Sequence, residues 1–289
     1  MMLMDPISHS ELNFKVNAAE KSAPCMGSIL ELASALIQAR RASKPRVLAM
    51  GAHAIKLGLS PIIISLIRKR IFDRLLVTSS VLIHDYELSV LGATSQDVDE
   101  GLKDGTYGTC GETAEYVMMA AKESHEHRGL GETAGHLIRE CDGEDSILAA
   151  CVESRVPVAV VVALGADTVH WHKGFDPALI ADAAYITLLQ VPGWVDAMHD
   201  GGVWLNAGSA VLLPEVFLKG LMVARHVSHG ERPHGFTTAV IDREVLYRPM
   251  ENVLSRPGGH GIFIRASLEF AWPSLQLMAL SIQEGENHV

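Results

Sequence analysis

The chain has 289 residues, 48% of them hydrophobic and 20% charged, a balance that builds an ordinary globular core and excludes disorder as a description of the whole. Its 24 Lys and Arg against 34 Asp and Glu give a net charge of −10, which repels polyphosphate, argues against a nucleic-acid partner and suits a cationic ligand. Cys25, Cys110, Cys141 and Cys151 show neither a CxxC pair nor zinc-ribbon spacing, so they read as reduced thiols in a cytoplasmic protein.

The opening MMLMDPISHSELNFKVNAAEK lacks the basic-then-apolar order of a secretory leader. No apolar run is expected to reach the ~20 residues of a membrane span. Residues 1–28 read as an arm ahead of a single domain, 29–289. The alternating apolar Leu12, Phe14 and Val16 in that arm would want cover, which a neighbouring subunit of a homo-oligomer would give.

Beyond the arm, Arg46–Met50 (RVLAM), a helix over Pro61–Arg70 and Leu75–Thr78 (LLVT) form a strand–helix–strand unit. Helical periodicity covers Gly111–Glu123 and Asp145–Ser154, the second feeding into Val156–Leu164 (VPVAVVVAL), a valine-rich run suited to a strand buried on both faces. Pro177–Leu189 reads as helix, Gly202–Leu205 as strand and Pro214–His226 as helix. Phe236–Ile241 and Gly261–Arg265 complete the strands, and Leu268–Ile282 closes the chain as a helix despite Pro273. The fold class is α/β, a doubly wound and mainly parallel sheet of Rossmann-like type.

In such sheets ligands gather where strands end, so the polar residues after each apolar run are the candidates. Gly51-Ala52-His53 through Lys56 and Gly58 follows the first strand and lets backbone amides approach a phosphate, although it is not GxGxxG. Thr78-Ser79 leads into His84-Asp85, an imidazole beside a carboxylate; a helix N-terminus favoured by Asp85 is the structural alternative. Asp167, His170 and His172 follow the valine strand, as substrate contacts or, with histidines two apart, as metal ligands. Asn206-Ala207-Gly208-Ser209 forms a small-residue loop that either offers amides to an anionic group or packs strand against helix. Arg248–Val253 and Arg256–Gly261 have the composition of a long functional loop, and Glu269 in an apolar helix reads as a buried acid with a partner or as a solvent-facing residue.

Taken in order, GAHAIKLGLSP, LLVTSSVLIHDYEL, GTYGTCGET, VPVAVVVALGADTVHWH, LNAGSAVLLPEVFLKG and RPMENV resemble the deoxyhypusine synthase superfamily, in particular a bacterial deoxyhypusine synthase-like branch. The resemblance spans roughly Val47 to Leu280. It implies bound NAD, a homotetramer with active sites at subunit interfaces, and oxidation of an amine to an imine. In the parent enzymes that imine carries an aminobutyl group from spermidine to a protein lysine. By this likeness Asp167 matches an amine-binding acid, with Ala166 as an extra residue; His84-Asp85 replaces two adjacent acids; and Glu251 matches a family acid. The parents' Trp-Gly-Lys is replaced by Val253-Leu254-Ser255-Arg256-Pro257-Gly258, and an arginine does not stand in for a nucleophilic lysine. The parents' histidine pair is Leu212-Leu213 here. A weaker similarity, in HDYEL and the following GATS, reaches the archaeal-type ornithine cyclodeaminase domain.

The leading expectation is therefore an NAD-dependent enzyme acting on a primary amine, a polyamine or amino acid, by transfer or deamination. Its catalytic set is His84, Asp85, Lys56 and Asp167, with Lys56 a nucleophile if burial beside the cofactor makes it one. Asp167, His170, His172 and Glu251 bind substrate. Gly51, His53, Thr78, Ser79, Asn206, Gly208 and Ser209 bind NAD, the adenine near Gly51–Gly58 and the nicotinamide towards Gly208 and Ser209. No resident metal is expected on this reading; the alternatives are a metal-assisted hydrolase or lyase on His170 and His172, and a non-catalytic NAD-binding oligomer.

Overall fold

The computed structural model describes residues 23–94, 98–108, 110–228 and 231–286. Six strands, β1 (Arg46–Met50), β2 (Arg74–Thr78), β3 (Val158–Val161), β4 (Val203–Ala207), β5 (Thr237–Asp242) and β6 (His260–Arg265), pair in parallel in the order β3-β2-β1-β4-β5-β6. The helices are α1 (Ala23–Arg41), α2 (His53–Lys56), α3 (Ser60–Arg68), α4 (Ser79–Tyr86), α5 (Val98–Asp104), α6 (Gly111–Glu123), α7 (Leu130–Glu140), α8 (Ile147–Glu153), α9 (Pro177–Leu188), α10 (Val191–Ala197), α11 (Leu212–Val227) and α12 (Leu268–Glu286). This is the doubly wound, Rossmann-like α/β architecture read from the sequence.

Strand alternation builds two cores. Leu48, Met50, Leu75, Val77, Val158, Val160 and Leu205 face one side, where α1, α3, α8 and α12 bury Leu36, Ile63, Leu148 and Trp272. Val47, Ala49, Leu76, Ala159, Trp204 and Val240 face the other, under α10 and α11. Each fully buried Val, Leu or Ile stabilises by about 1.5–3 kcal/mol relative to exposure, so both faces of the sheet are committed. Trp204 packs on Phe217 of α11 with ring centroids 4.5 Å apart.

Several boundaries differ from expectation for local reasons. The valine run contributes only Val158–Val161, because Pro157 has no N–H for the ladder and offers only its carbonyl, which Leu75 meets at 3.0 Å. Helix α1 begins at Ala23, so the boundary expected at residue 28 falls within it; Leu12, Phe14 and Val16 lie outside the described residues. One stretch, Pro177–Ala197, does reach membrane-span length, 21 residues at mean hydropathy 1.3. It forms two helices: Ile180, Ala183 and Ala184 of α9 enter one core, and Val191, Trp194 and Val195 of α10 the other.

Candidate functional site

With this strand order the winding reverses between β1 and β4, and the crevice outside their C-terminal ends is where a doubly wound sheet receives a ligand. The loops after these strands touch. A Cβ on Gly51 would lie 2.4 Å from the carbonyl oxygen of Gly208, so Gly51 is glycine to admit its neighbour's backbone. Gly208 itself has φ +66, a left-handed conformation that a side chain strains. Asn206 Nδ2 donates to the Ser209 carbonyl at 3.0 Å, and Ser209 Oγ accepts the Leu213 amide at 3.2 Å, which fixes the loop onto the start of α11.

These residues fit part of a dinucleotide. Asn206 Oδ1 is buried with no partner, and Pro214 has no N–H. The amides of Val211, just before α11, and of Leu212, its first residue, meet no protein acceptor among the described residues, leaving donors for a pyrophosphate at the helix N-terminus. His53 is exposed on α2. Lys56, one turn further, is also exposed, so the protein by itself does not bury it.

At the ends of β2 and β3, Thr78 Oγ1 and Ser80 Oγ are 2.7 Å apart, and Ser79 Oγ donates to Asp167 Oδ2 in a very short bond. Asp167 heads the 3-10 turn Thr168–Trp171 and accepts the His170 amide, while His170 Nδ1 accepts the amides of Asp167 at 3.3 Å and Gly165 at 3.1 Å. His170 is therefore turned inward as a loop clamp, its side chain only 4% exposed. His172 diverges from it and joins Tyr107, Gly108, Asp167, Thr168, Trp171 and Lys173 around an open cleft of about 600 Å³. Gly108 permits this enclosure, since a Cβ there would sit 2.8 Å from Thr168 Cβ. The two histidines join no third metal ligand among the described residues, where the gathered set is instead His199, Glu231 and His234.

The expected His84/Asp85 couple separates. Asp85 is fully buried and caps a different helix, α8: its carboxylate accepts Ser146 Oγ at 2.6 Å and the amides of Ile147 and Leu148 at 2.9 Å each. Burial pushes this carboxyl up to about 6 in spite of those three donors. The reading of Asp85 against a helix dipole thus holds, though for α8 rather than α4. His84 Nδ1 is paired with Glu87 Oε2 at 3.0 Å. Glu87 Oε1 accepts Thr113 Oγ1 at 3.3 Å, and Thr113 lies 3.1 Å from Cys110 Sγ, next to Gly111 on the rim beside His172. Glu87 and Thr113 were not anticipated; the spacing of Glu87 three residues after His84 was the available signal.

Glu251 lies in the π-helical turn Pro249–Ser255 beyond β5, about four strand spacings, ~19 Å, from the β3 end that carries Asp167. Asp85, Asp167 and Glu251 therefore form no common acidic pocket within one chain. Arg256 donates to Asn252 Oδ1 at 2.6 Å and to Tyr247 OH at 2.9 Å. Glu269, half-buried, faces Arg243 at 3.3 Å.

Sequence comparison gives no match to any protein-family model or curated protein. Structure comparison does. AgrE in ternary complex with ornithine and NAD+ matches at TM-score 0.60 and 13% identity over 90% of this chain and 34% of that one. A conserved protein assigned to the LOR/SDH group from Methanococcus maripaludis S2 matches at 0.57 and 14% over 98% and 75%. A candidate deoxyhypusine synthase from Entamoeba histolytica matches at 0.54 and 8% over 98% and 97%. This chain has the deoxyhypusine synthase-like fold. It spans about a third of the length of AgrE and of the cyanobacterial arginine dihydrolase ArgZ, with 34% and 32% of those chains covered.

Proposed function

We propose that the protein is an NAD-dependent enzyme acting on a primary amine of a small amino acid or polyamine, working in the cytoplasm as a homo-oligomer. The observation that carries this reading is the juxtaposition of two features along one sheet edge: the glycine-packed crevice at β1 and β4, and the Asp167 cleft at β2 and β3. NAD, when bound along Gly51, His53, Asn206, Gly208, Ser209 and the first turn of α11, would supply the hydride acceptor that turns an amine into an imine. That a protein of the same fold holds NAD+ and ornithine agrees with this, at an identity of 13%.

The chain's own residues have distinct tasks. Asp167, oriented by Ser79, presents its carboxylate in a cleft walled by Trp171 and Tyr107, so an ammonium meets both a charge and aromatic faces. His84 holds its Nδ1 against Glu87, which leaves Nε2 to take a proton from the amine. It lies five residues, about 7.5 Å of helix rise, beyond the Ser79 that touches Asp167. Asp85 positions α8 against α4 and takes no part in the chemistry.

The test is direct: purified protein with NAD and a panel of spermidine, putrescine, agmatine, ornithine and arginine, followed by absorbance at ~340 nm. Reduction with at least one amine, lost in Asp167→Asn, supports the reading. Tight NAD binding with no reduction by any amine would make the protein a non-catalytic NAD-binding oligomer.

A further inference from the structure

At the opposite, N-terminal edge of the sheet, far from the cleft, two turns meet. His199 and Asp200 sit between α10 and β4, and Glu231 and His234 between α11 and β5. His199 Nε2 lies 3.2 Å from Asp200 Oδ2 and 3.7 Å from Glu231 Oε2. His234 Nε2 lies 3.5 Å from Glu231 Oε1 and 3.9 Å from Asp200 Oδ1. The two imidazole rings are 4.4 Å apart, and one ligand atom from each of His199, Glu231 and His234 lies within 4.8 Å of the others.

We propose that His199, Glu231 and His234, with Asp200 beside them, form a structural site for a divalent transition ion, with zinc the best match. Imidazole nitrogen with carboxylate oxygen is the donor set that zinc takes. A tetrahedral ion ~2.0–2.1 Å from each donor needs donors ~3.4 Å apart, and Glu231 oxygens lie 3.7 Å from the His199 nitrogen and 3.5 Å from the His234 nitrogen, with the three ligand atoms all within 4.8 Å, so rotations of these side chains would close on that value.

The surroundings orient these donors. His234 Nδ1 faces the Arg232 carbonyl at 3.2 Å; donating its proton there leaves the lone pair on Nε2, the arrangement found behind metal-ligating histidines. His199 Nδ1 now accepts the His234 amide at 3.3 Å, so coordination through Nε2 moves the ring proton to Nδ1 and gives up that long bond. The Asp200 amide donates to the His234 carbonyl at 2.9 Å, joining the two turns by their backbones. Gly235, φ +67, is where a Cβ would fall 2.4 Å from Asp200 Oδ1, so a side chain there would push that carboxylate off. Lys44 Nζ holds the His199 carbonyl at 2.6 Å from a third side. An ion at this point would staple the turn before β4 to the turn before β5, and nothing in it depends on the amine chemistry of the other edge.

The experiment uses the full chain, freed of metal by chelator dialysis and titrated with zinc sulfate in competition with a chromophoric chelator. One equivalent per chain is expected, with the melting temperature raised by saturation. His199→Gln and His234→Gln should each weaken zinc binding by at least ~30-fold and Glu231→Gln by ~10-fold or more, while His226→Gln, an exposed histidine on α11, leaves it unchanged. Circular dichroism shows whether each variant is folded. Less than ~0.2 equivalents bound at ~100 μM zinc would overturn the proposal. So would binding that survives the folded His199→Gln/His234→Gln double variant, above all if His172→Gln abolishes it, which would place the ion in the cleft instead.

Discussion

Asp85 and Ser146 lie 61 residues apart in the chain, and the carboxylate Oδ2 of the first accepts the hydroxyl of the second at 2.6 Å. Ser146 Oγ in turn accepts the Ala149 amide, so one serine and one aspartate together satisfy the first turn of α8. Burial dominates the proton affinity of this carboxyl, raising it from 3.8 to about 6, while Ser146, Leu148 and Ile147 oppose the rise. The folded protein therefore holds the proton more tightly than the unfolded chain does. This group's contribution to stability is full below the unfolded value and is lost as pH rises through the folded value, on the order of 3 kcal/mol in all.

Asp85→Asn removes that dependence and turns an amide NH2 towards one of the buried donors, an uncompensated clash worth ~1–3 kcal/mol. Denaturant titrations should show the substitution to cost more at pH 5 than at pH 7, because the wild type itself loses stability over that interval. If Asp85→Asn left the unfolding midpoint unchanged at both pH values yet abolished turnover, Asp85 would be a catalytic base and its placement as a cap wrong.

Glu87 is the partner that orients His84. Glu87→Gln keeps a hydrogen-bond acceptor but removes the charge beside the imidazole. We expect kcat for amine oxidation to fall by ~10²-fold with KM within ~3-fold. Equal losses in Glu87→Gln and in NAD affinity would point to a collapsed α4 instead.

The strands were legible because burial on both faces writes itself as uninterrupted apolar runs: RVLAM and VAVV are buried at every position. Helix α1 was missed: its first residues were read with the arm, and the rest, up to Arg41, was assigned to no element. The site was less legible. Neighbours in sequence are ~100° apart on a helix, so His84 and Asp85 diverge, whereas Glu87 at i+3 returns to the histidine's face. The inward turn of His170 depends on two backbone amides, of Gly165 and Asp167, whose direction no residue pattern records. The separation of Glu251 from Asp167 follows from strand order, which sequence proximity does not give.

The two loop glycines should respond differently. Gly51→Ala forces a Cβ to 2.4 Å from the Gly208 carbonyl oxygen, which the paired strand ends have no room to relieve. A fall in stability of ~1–3 kcal/mol is expected. Gly208→Leu strains φ +66 by ~1–2 kcal/mol, but its Cβ would approach nothing closer than Leu268 Cδ1 at 3.5 Å, so the chain stays folded while the new side chain occupies the crevice. Calorimetry should find NAD binding lost in Gly208→Leu; unchanged affinity in that folded variant would show the dinucleotide to lie elsewhere.

Oligomeric state is measured by light scattering of the full chain. A tetramer mass at micromolar concentration is expected, falling when residues 1–22 are deleted. A monomer mass for the intact chain would remove both the shared active site and the arm's role.

The last prediction concerns where an imine can be held. The sequence resemblance sets Arg256 where deoxyhypusine synthases carry their lysine, but its guanidinium is committed to Asn252 and Tyr247 and lies 5.7 Å over the Tyr247 ring, so this arginine is no substitute for a nucleophilic lysine. Lys56 is exposed on α2 and is not among the cleft-lining residues. Lys173 is among them, with Asp167 in the same wall, but it is as exposed as Lys56, so neither lysine has the burial that would make it a nucleophile. An amine oxidised while its second ammonium rests on Asp167 would then pass its imine to water, leaving an aldehyde and releasing ammonia or the smaller amine, or pass it to a small acceptor amine. Borohydride added during turnover should therefore leave no substrate on the protein, as peptide mass mapping would show, while NAD is still reduced, which would make the protein a deaminase or a direct transferase. A label on Lys56 would show that a relocated lysine carries the imine, and one on Lys173, Lys219 or another lysine would contradict this placement of the site.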